Sequence, residues 1–355
     1  MQETIAIVSP LPPPYGGMAI QAEKLYENLK NEGLAVRKIP TNLRFNKLEF
    51  IEKIPFLRTL ARMFVFLLHL NRELKDIDCI YFLTGFYNFF FWVTLPAIIL
   101  IKLKRKRIIL SARGGDAKKF FRENKTVTKF FLKQVDIVTT PSFFLKKIFM
   151  EELNIKAKVI PNIADLSQFE FIKKEKFKPK IIVTRALEEI YDVEGIIRAF
   201  DIISGKISDA ELGIVGGGSL EASLKELVFE LGLSEKVYFY GEVEHKKLPF
   251  IYKKYDIFMN ASKVDNLPGS ILEAFASGLP VVSTDSGGIS YMVENNFSGL
   301  LCKAGGYKSL AENALKIINN PEKGIYLSKN GYMEIEKYKW TNIKKILVPL
   351  LQNEN

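Results

Sequence analysis

Two carboxylates eight positions apart, Asp265 and Glu273, flank a Pro268-Gly269-Ser270 step that can open a helix. Proline is tolerated in a first helical turn, and glycine lets a ligand approach the backbone closely. The first amides of a helix lack intrahelical partners, so Gly269, Ser270 and Ile271 would offer donors to an anion or a polyol. Asp265 falls in the loop before this helix and Glu273 one turn inside it, so both can face one ligand. A carboxylate in such a place accepts hydrogen bonds from sugar hydroxyls. Arg185 supplies the opposite charge. It ends the strand-like run Lys180-Ile-Ile-Val-Thr184, where a planar guanidinium can grip a diphosphate through two bonds.

These residues need elements to hold them. Ile271, Leu272, Ala274, Phe275 and Ala276 give the helix a buried face, and Gly278 with Pro280 stops it. Val281–Thr284 reads as a short buried strand ending at Gly287-Gly288. Upstream, Glu211–Val215 reads as a strand running into a glycine loop that contains Gly217, followed by a helix over Leu220–Leu231. Val237–Gly241 is a further strand, Leu248–Tyr255 a helix, and Asp256–Met259 the strand that delivers the acidic stretch. In the first half, Ile5–Val8 is a strand feeding a proline-rich loop with Gly16 and Gly17, and Met18–Leu29 has helical periodicity. A strand, glycine loop and helix in sequence place amides at the carboxyl edge of a parallel sheet, where open α/β folds bind ligands. Ile108–Leu110 is another strand, with Arg113 and Asp116 just beyond its end, and 135–142 and 158–163 read as two more.

The 355 residues suit two domains, each with its own core. The net charge of +11 divides as +13 over residues 1–176 and −2 over 177–355, an asymmetry that points to an acidic partner surface. Residues 51–75 form a helix-like segment with an apolar stripe and basic side chains, to be read as a helix packed on the sheet or as a face resting on lipid. Phe86–Ile101 has no charge, but it is short of the ~20 apolar residues a membrane span needs and contains Pro96, so a buried helix is expected. Five basic residues follow between Lys102 and Arg107, a solvated turn or a contact for anionic lipid. Aromatic residues do not alternate with this run, which argues against nucleic acid as a partner. Cys79 and Cys302 stand far apart, without metal or redox spacing, as expected in a reducing cytosol. The N-terminus lacks the basic start and cleavage site of a secretory signal. The expected location is therefore cytoplasmic, with peripheral contact at the inner membrane face.

The run from Asp265 through Glu273, Ala274-Phe-Ala-Ser-Gly-Leu-Pro-Val-Val282 and Gly287-Gly288 resembles the donor-binding signature of the retaining glycosyltransferases of family 4. The resemblance implies a GT-B fold: two Rossmann-like α/β domains facing a central cleft. The expected division is an acceptor-side domain over 1–175, a donor domain over 176–335, and a helix over 336–355 crossing back to the first. It implies transfer of a sugar from a nucleoside diphosphate sugar to a hydroxyl of a glycan or lipid-linked acceptor, with retention, in bacterial surface glycan synthesis. Asp265 and Arg185 would then be catalytic. Gly16, Gly17, Gly217, Gly269, Ser270, Ile271 and Glu273 would bind the donor, Glu273 through its ribose hydroxyls, with neither metal nor cofactor. Where the family usually has Glu, this chain has Asp265; where it often has His-Gly, this chain has Arg113-Gly114. The lysine that usually follows the arginine is missing between Arg185 and Val193. Arg113 and Asp116 read either as contacts to a phosphate and an acceptor hydroxyl or as a structural ion pair. A nucleotide-sugar epimerase and a catalytically weakened binding partner are the alternatives.

Overall fold

The computed structural model describes residues 3–13, 16–43, 55–114 and 116–353. The chain divides into two compact units: one is the chain up to Ile163 together with the segment from Trp340, the other is Ala164–Lys339. The sequence boundary after residue 175 falls inside the second unit, because Phe169 and Phe177 are both buried in its cores.

Each unit is built on a six-stranded sheet whose strands all pair in parallel. In the first unit the strands are β1 (Ile5–Ser9), β2 (Val36–Pro40), β3 (Cys79–Thr84), β4 (Arg107–Ala112), β5 (Ile137–Thr140) and β6 (Lys158–Val159). They lie in the order β2-β1-β3-β4-β5-β6. The second unit has β7 (Lys180–Thr184), β8 (Glu211–Val215), β9 (Val237–Gly241), β10 (Ile257–Asn260), β11 (Val281–Thr284) and β12 (Gly299–Cys302), ordered β12-β11-β10-β7-β8-β9. Parallel strands need crossover helices, which bury both faces of a sheet and make its strands continuously apolar. Accordingly β1 and β3 are buried from end to end.

In both sheets the order reverses beside the unit's first strand, between β1 and β3 and between β7 and β10. Loops diverge at such a point and open a crevice at the carboxyl edge, the usual ligand site of an open α/β sheet.

Several elements differ from the sequence reading. The strands expected over 135–142 and 158–163 shorten to β5 and β6. Pro96 does not interrupt the apolar segment. A π-helical turn over Phe90–Thr94 runs directly into a helix over Leu95–Leu103, so the wider turn accommodates the proline's missing donor. The last helix is Trp340–Leu351, preceded by a 3-10 turn at Ile335–Tyr338 and an extended Lys339. Ile343, Leu347, Leu350 and Leu351 bury against Ile5, Ile7 and Tyr81, whereas Ile346 is exposed. In the segment read as helical over 51–75, residues 51–54 lie outside the described residues and the helix is Pro55–Glu73. The charged run is not uniformly free: Lys102 pairs with Asp136 at 3.0 Å, and Arg107 donates to the Leu351 carbonyl at 3.3 Å.

Candidate functional site

The second unit gathers most of its candidates at the carboxyl edge of its sheet, around the reversal between β7 and β10. Arg185 follows β7 directly, and its amide donates to the Val215 carbonyl at 2.9 Å, tying it to β8. Its Nε donates to Asn260 Oδ1 and its guanidinium to Ser262 Oγ, both at 3.2 Å and both from the end of β10. The same guanidinium forms an ion pair with Asp265. Tyr191 lies 4.6 Å from the guanidinium carbon and closes it from another side. Burial pushes the Arg185 pKa below its ordinary value, while Tyr191, Tyr252 and Glu273 push it back.

Glycines fix the loops around this pair. Gly216 has φ +133°, and a Cβ there would stand 1.9 Å from the Arg185 carbonyl oxygen, so only glycine lets the β8 loop pass Arg185. Gly217 accepts from the Leu187 amide at 2.9 Å. Gly287 and Gly288 form the seat of the acidic loop: the Gly288 amide donates to the Asp265 carbonyl at 2.7 Å, and a Cβ on Gly288 would meet the Asn266 oxygen at 1.7 Å.

Glu273 is one turn into the helix Gly269–Ala276. Tyr252 donates its hydroxyl to Glu273 Oε2 at 3.1 Å, and His245 Nε2 lies 3.0 Å from Oε1. Burial, then Glu273 itself, raises the Tyr252 pKa well above its ordinary value, so the phenol remains a proton donor to the carboxylate.

At the start of this helix the amides of Gly269 and Ser270 have no partner among the described residues. Ile271, expected to be free as well, donates to the Pro268 carbonyl at 3.3 Å. Ser270 is 8% exposed, and its hydroxyl is buried without a hydrogen-bond partner. A buried unpaired hydroxyl costs ~1–3 kcal/mol unless a bound group satisfies it. At Gly269 an added Cβ would meet nothing within 4 Å and φ is not positive, so nothing in the protein itself demands glycine there.

In the first unit, Gly16 caps the helix Gly17–Asn31 from the end of the β1 loop. Both glycines face open space in the same sense as Gly269. Arg113 follows β4 and is buried, bonded to Ser111 Oγ at 3.3 Å and to Asn162 Oδ1. Asp116 accepts from the Tyr87 hydroxyl at 2.9 Å. Arg113 and Asp116 therefore do not form the structural ion pair offered as one reading: Arg113 fastens β4 to the segment after β6, and Asp116 remains exposed. Gly115 lies outside the described residues.

Arg185, Asp265 and Gly217, named from the sequence, lie in loops after strands of the second sheet, and Gly269, Ser270 and Glu273 on the helix that follows the acidic loop. The sequence reading missed Tyr191, His245, Tyr252, Asn260 and Ser262. Asn260 and Ser262 had a signal, since polar side chains ending a buried strand at a switch point need partners. Tyr252 and His245 had none, because their role depends on a helix folding back onto Glu273.

This architecture, with charged and polar groups at the reversal point of a parallel sheet, is that of an α/β protein of the GT-B class. Residues 166–334 match the model of the family of glycosyl transferases group 1. An uncharacterised glycosyltransferase of Haemophilus influenzae is 29% identical over 153 residues, 43% of this chain and 42% of that protein. The chain thus spans about two fifths of the length of the first curated relatives it matches. An uncharacterised glycosyltransferase of Methanocaldococcus jannaschii is 29% identical over 275 residues, 71% of this chain and 70% of that one. Among solved structures, a sucrose-phosphate synthase from Thermosynechococcus elongatus superposes with TM-score 0.74 at 18% identity, over 99% of both chains. HepE of Anabaena, in complex with UDP and glucose, has TM-score 0.71 at 17% identity over 99% of this chain and 100% of its own. Likeness at that identity establishes the fold.

Proposed function

We propose that the protein is a retaining glycosyltransferase that moves a sugar from a nucleoside diphosphate sugar to a hydroxyl of a glycan or lipid-linked acceptor in surface glycan synthesis. The observation that carries this reading is the unspent set at the helix start, the Gly269 and Ser270 amides with the buried Ser270 hydroxyl, next to Arg185. Helix-start amides, a hydroxyl and a guanidinium are the donor types that suit a diphosphate. The UDP bound to HepE supports the same ligand class.

In the reaction the bond from the anomeric carbon to the diphosphate breaks, an acceptor oxygen forms its bond on the same face, and the acceptor proton passes to the departing phosphate side. Arg185 and the helix amides stabilise the charge that grows on the diphosphate, so neither metal nor cofactor is required. Asp265 orients Arg185 and accepts from a sugar hydroxyl, and Glu273, held by Tyr252 and His245, accepts from the ribose hydroxyls. Tyr191 stacks where the resemblance led one to expect a lysine, leaving Arg185 as the principal cation.

The protein works at the inner face of the membrane, held peripherally by the basic first half. Among the described residues no helix is long and apolar enough to cross a membrane. The test is calorimetry with UDP, GDP and ADP, followed by transfer assays with the sugar of the base that binds and determination of the product's anomeric configuration. No nucleotide binding would overturn the reading, and an inverted product would overturn retention.

A further inference from the structure

The helices that cover one face of the first sheet carry exposed apolar residues in pairs. Phe64 and Leu68 lie four apart on Pro55–Glu73, Ile99 and Leu103 four apart on Leu95–Leu103, and Val127 and Phe130 three apart on Lys125–Leu132. All six are 43–76% exposed. Residues three or four apart share one face of a helix, so each pair is a short apolar ridge turned away from the core. The inward residues Phe66, Leu70, Ile98, Ile101 and Leu132 belong to a single core cluster, which places the three helices in one layer. Helix 55–73 packs on helix 95–103. The Lys102–Asp136 ion pair joins the last turn of helix 95–103 to the segment after helix 125–132. By contrast, the exposed Phe229 and Phe250 of the second unit each stand alone on their helices.

The charge around these ridges is mostly positive, although Glu123 just ahead of Lys125 is exposed too. Lys104, Arg105, Lys125, Lys129 and Lys133 make no ion pair among the described residues. Of the nearby carboxylates, Asp136 is taken by Lys102 and Glu73 lies 3.9 Å from Arg37. A second copy docked through this face would set like charges against like, since a twofold interface matches a patch to itself. An anionic headgroup layer instead meets each charge, and the acyl boundary about 5–10 Å beneath it takes the apolar ridges.

We propose that this three-helix layer is a membrane-docking face, with Phe64, Leu68, Ile99, Leu103, Val127 and Phe130 entering an anionic bilayer and the lysines and arginines between them contacting its headgroups. The proposal rests on the membrane-proximal part of the function proposed above and adds insertion to electrostatic adsorption. Adsorption fades with salt as screening shortens its range, whereas insertion does not.

The experiment is co-sedimentation of the full chain with phosphatidylcholine vesicles, with and without phosphatidylglycerol, at low and high salt. The wild type should bind the anionic vesicles and retain a salt-resistant fraction. The Leu103→Ser/Phe130→Ser variant, checked for fold by circular dichroism, should lose that fraction, with binding at high salt falling on the order of tenfold or more. Lys104→Gln/Arg105→Gln should lose mainly the salt-sensitive part, and Phe229→Ser should behave as wild type. Wild-type levels of salt-resistant binding in the serine variant would overturn insertion. So would a wild-type dimer that the serine substitutions dissociate, because the face would then serve self-association. A wild type that transfers sugar but ignores every vesicle would overturn the docking face and leave the glycosyltransferase reading intact.

Discussion

Arg185 and Asp265 stand eighty residues apart in sequence and form an ion pair between loops that leave adjacent strands of one sheet. Their side chains are 12% and 16% exposed, so each charge depends on the other for most of its solvation. Removing one partner of such a pair costs ~3–5 kcal/mol, whereas replacing both with apolar groups can be close to neutral. Asp265→Ala should therefore lower the thermal midpoint markedly, and Arg185→Met/Asp265→Leu should recover much of it. Neither variant should recover transfer activity. Arg185→Ala is expected to reduce kcat ~10²-fold or more, the scale for one donor that stabilises developing charge. Melting curves and steady-state kinetics on the four proteins separate the pair's structural role from its catalytic one. Restored activity in the double variant would refute the catalytic assignment.

Tyr252→Phe takes one hydrogen bond from Glu273 Oε2 without emptying the cavity. Hydrogen bonds to charged groups contribute about 1.5–3 kcal/mol, so nucleoside diphosphate affinity should fall roughly tenfold or more. Glu273→Gln should weaken binding by a similar factor, since an amide accepts less strongly than a carboxylate. Calorimetric titration with the nucleotide that binds the wild type is the measurement. Unchanged affinity in both variants would remove Glu273 from the donor site.

Gly288→Ala and Gly269→Ala should separate fold from ligand. A Cβ on Gly288 would lie 1.7 Å from the Asn266 oxygen, so the acidic loop must move, and both the melting temperature and nucleotide affinity should drop. Gly269 has room for a Cβ within the protein, so its alanine variant should melt like wild type yet bind nucleotide less well. Normal binding by Gly269→Ala would show that no ligand approaches that backbone.

A pH effect is expected where the last helix meets the first. Glu32 accepts from Trp340 Nε1 and from Lys344 Nζ, each at 2.9 Å. The Lys344 bond, followed by that of Trp340, lowers its carboxyl pKa from the ordinary 4.5 against a smaller opposing effect of burial. A folded pKa below the unfolded one means that folding favours the ionised form. The contribution is present above pH 4.5 and disappears as pH falls through the folded value. Urea unfolding followed by Trp340 fluorescence from about pH 6 to pH 3 should show this loss, and Glu32→Gln should flatten that part of the curve.

The second unit was the more legible in sequence, and the reason is local. Its strands β7 to β11 are short apolar runs closed by Arg185, Gly216, Gly241, Asn260 and Asp285, so each end is punctuated. In the first unit, only Gly85 stands between Cys79–Thr84 and the apolar run that resumes at once as Phe86–Ile101. Neither period nor composition separates that strand from the helix after it. Val36–Pro40 and Gly299–Cys302 are also unannounced, one ending at a proline and the other starting at a glycine. The site followed the same division. Residues at strand ends and helix starts could be named in advance, whereas the hydroxyl of Tyr252 reaches Glu273 only through tertiary packing.

The return of Trp340–Leu351 to the first unit governs how this chain can be cut or recombined. One face of the first sheet, with Ile5, Ile7 and Tyr81, is closed partly by Ile343, Leu347, Leu350 and Leu351. A fragment ending at Ile163 would leave that apolar face to water and is expected to aggregate. Exchange of the second unit between relatives would then require two junctions, one near Ile163 and one near Trp340, because a single crossover would part the first sheet from its cover.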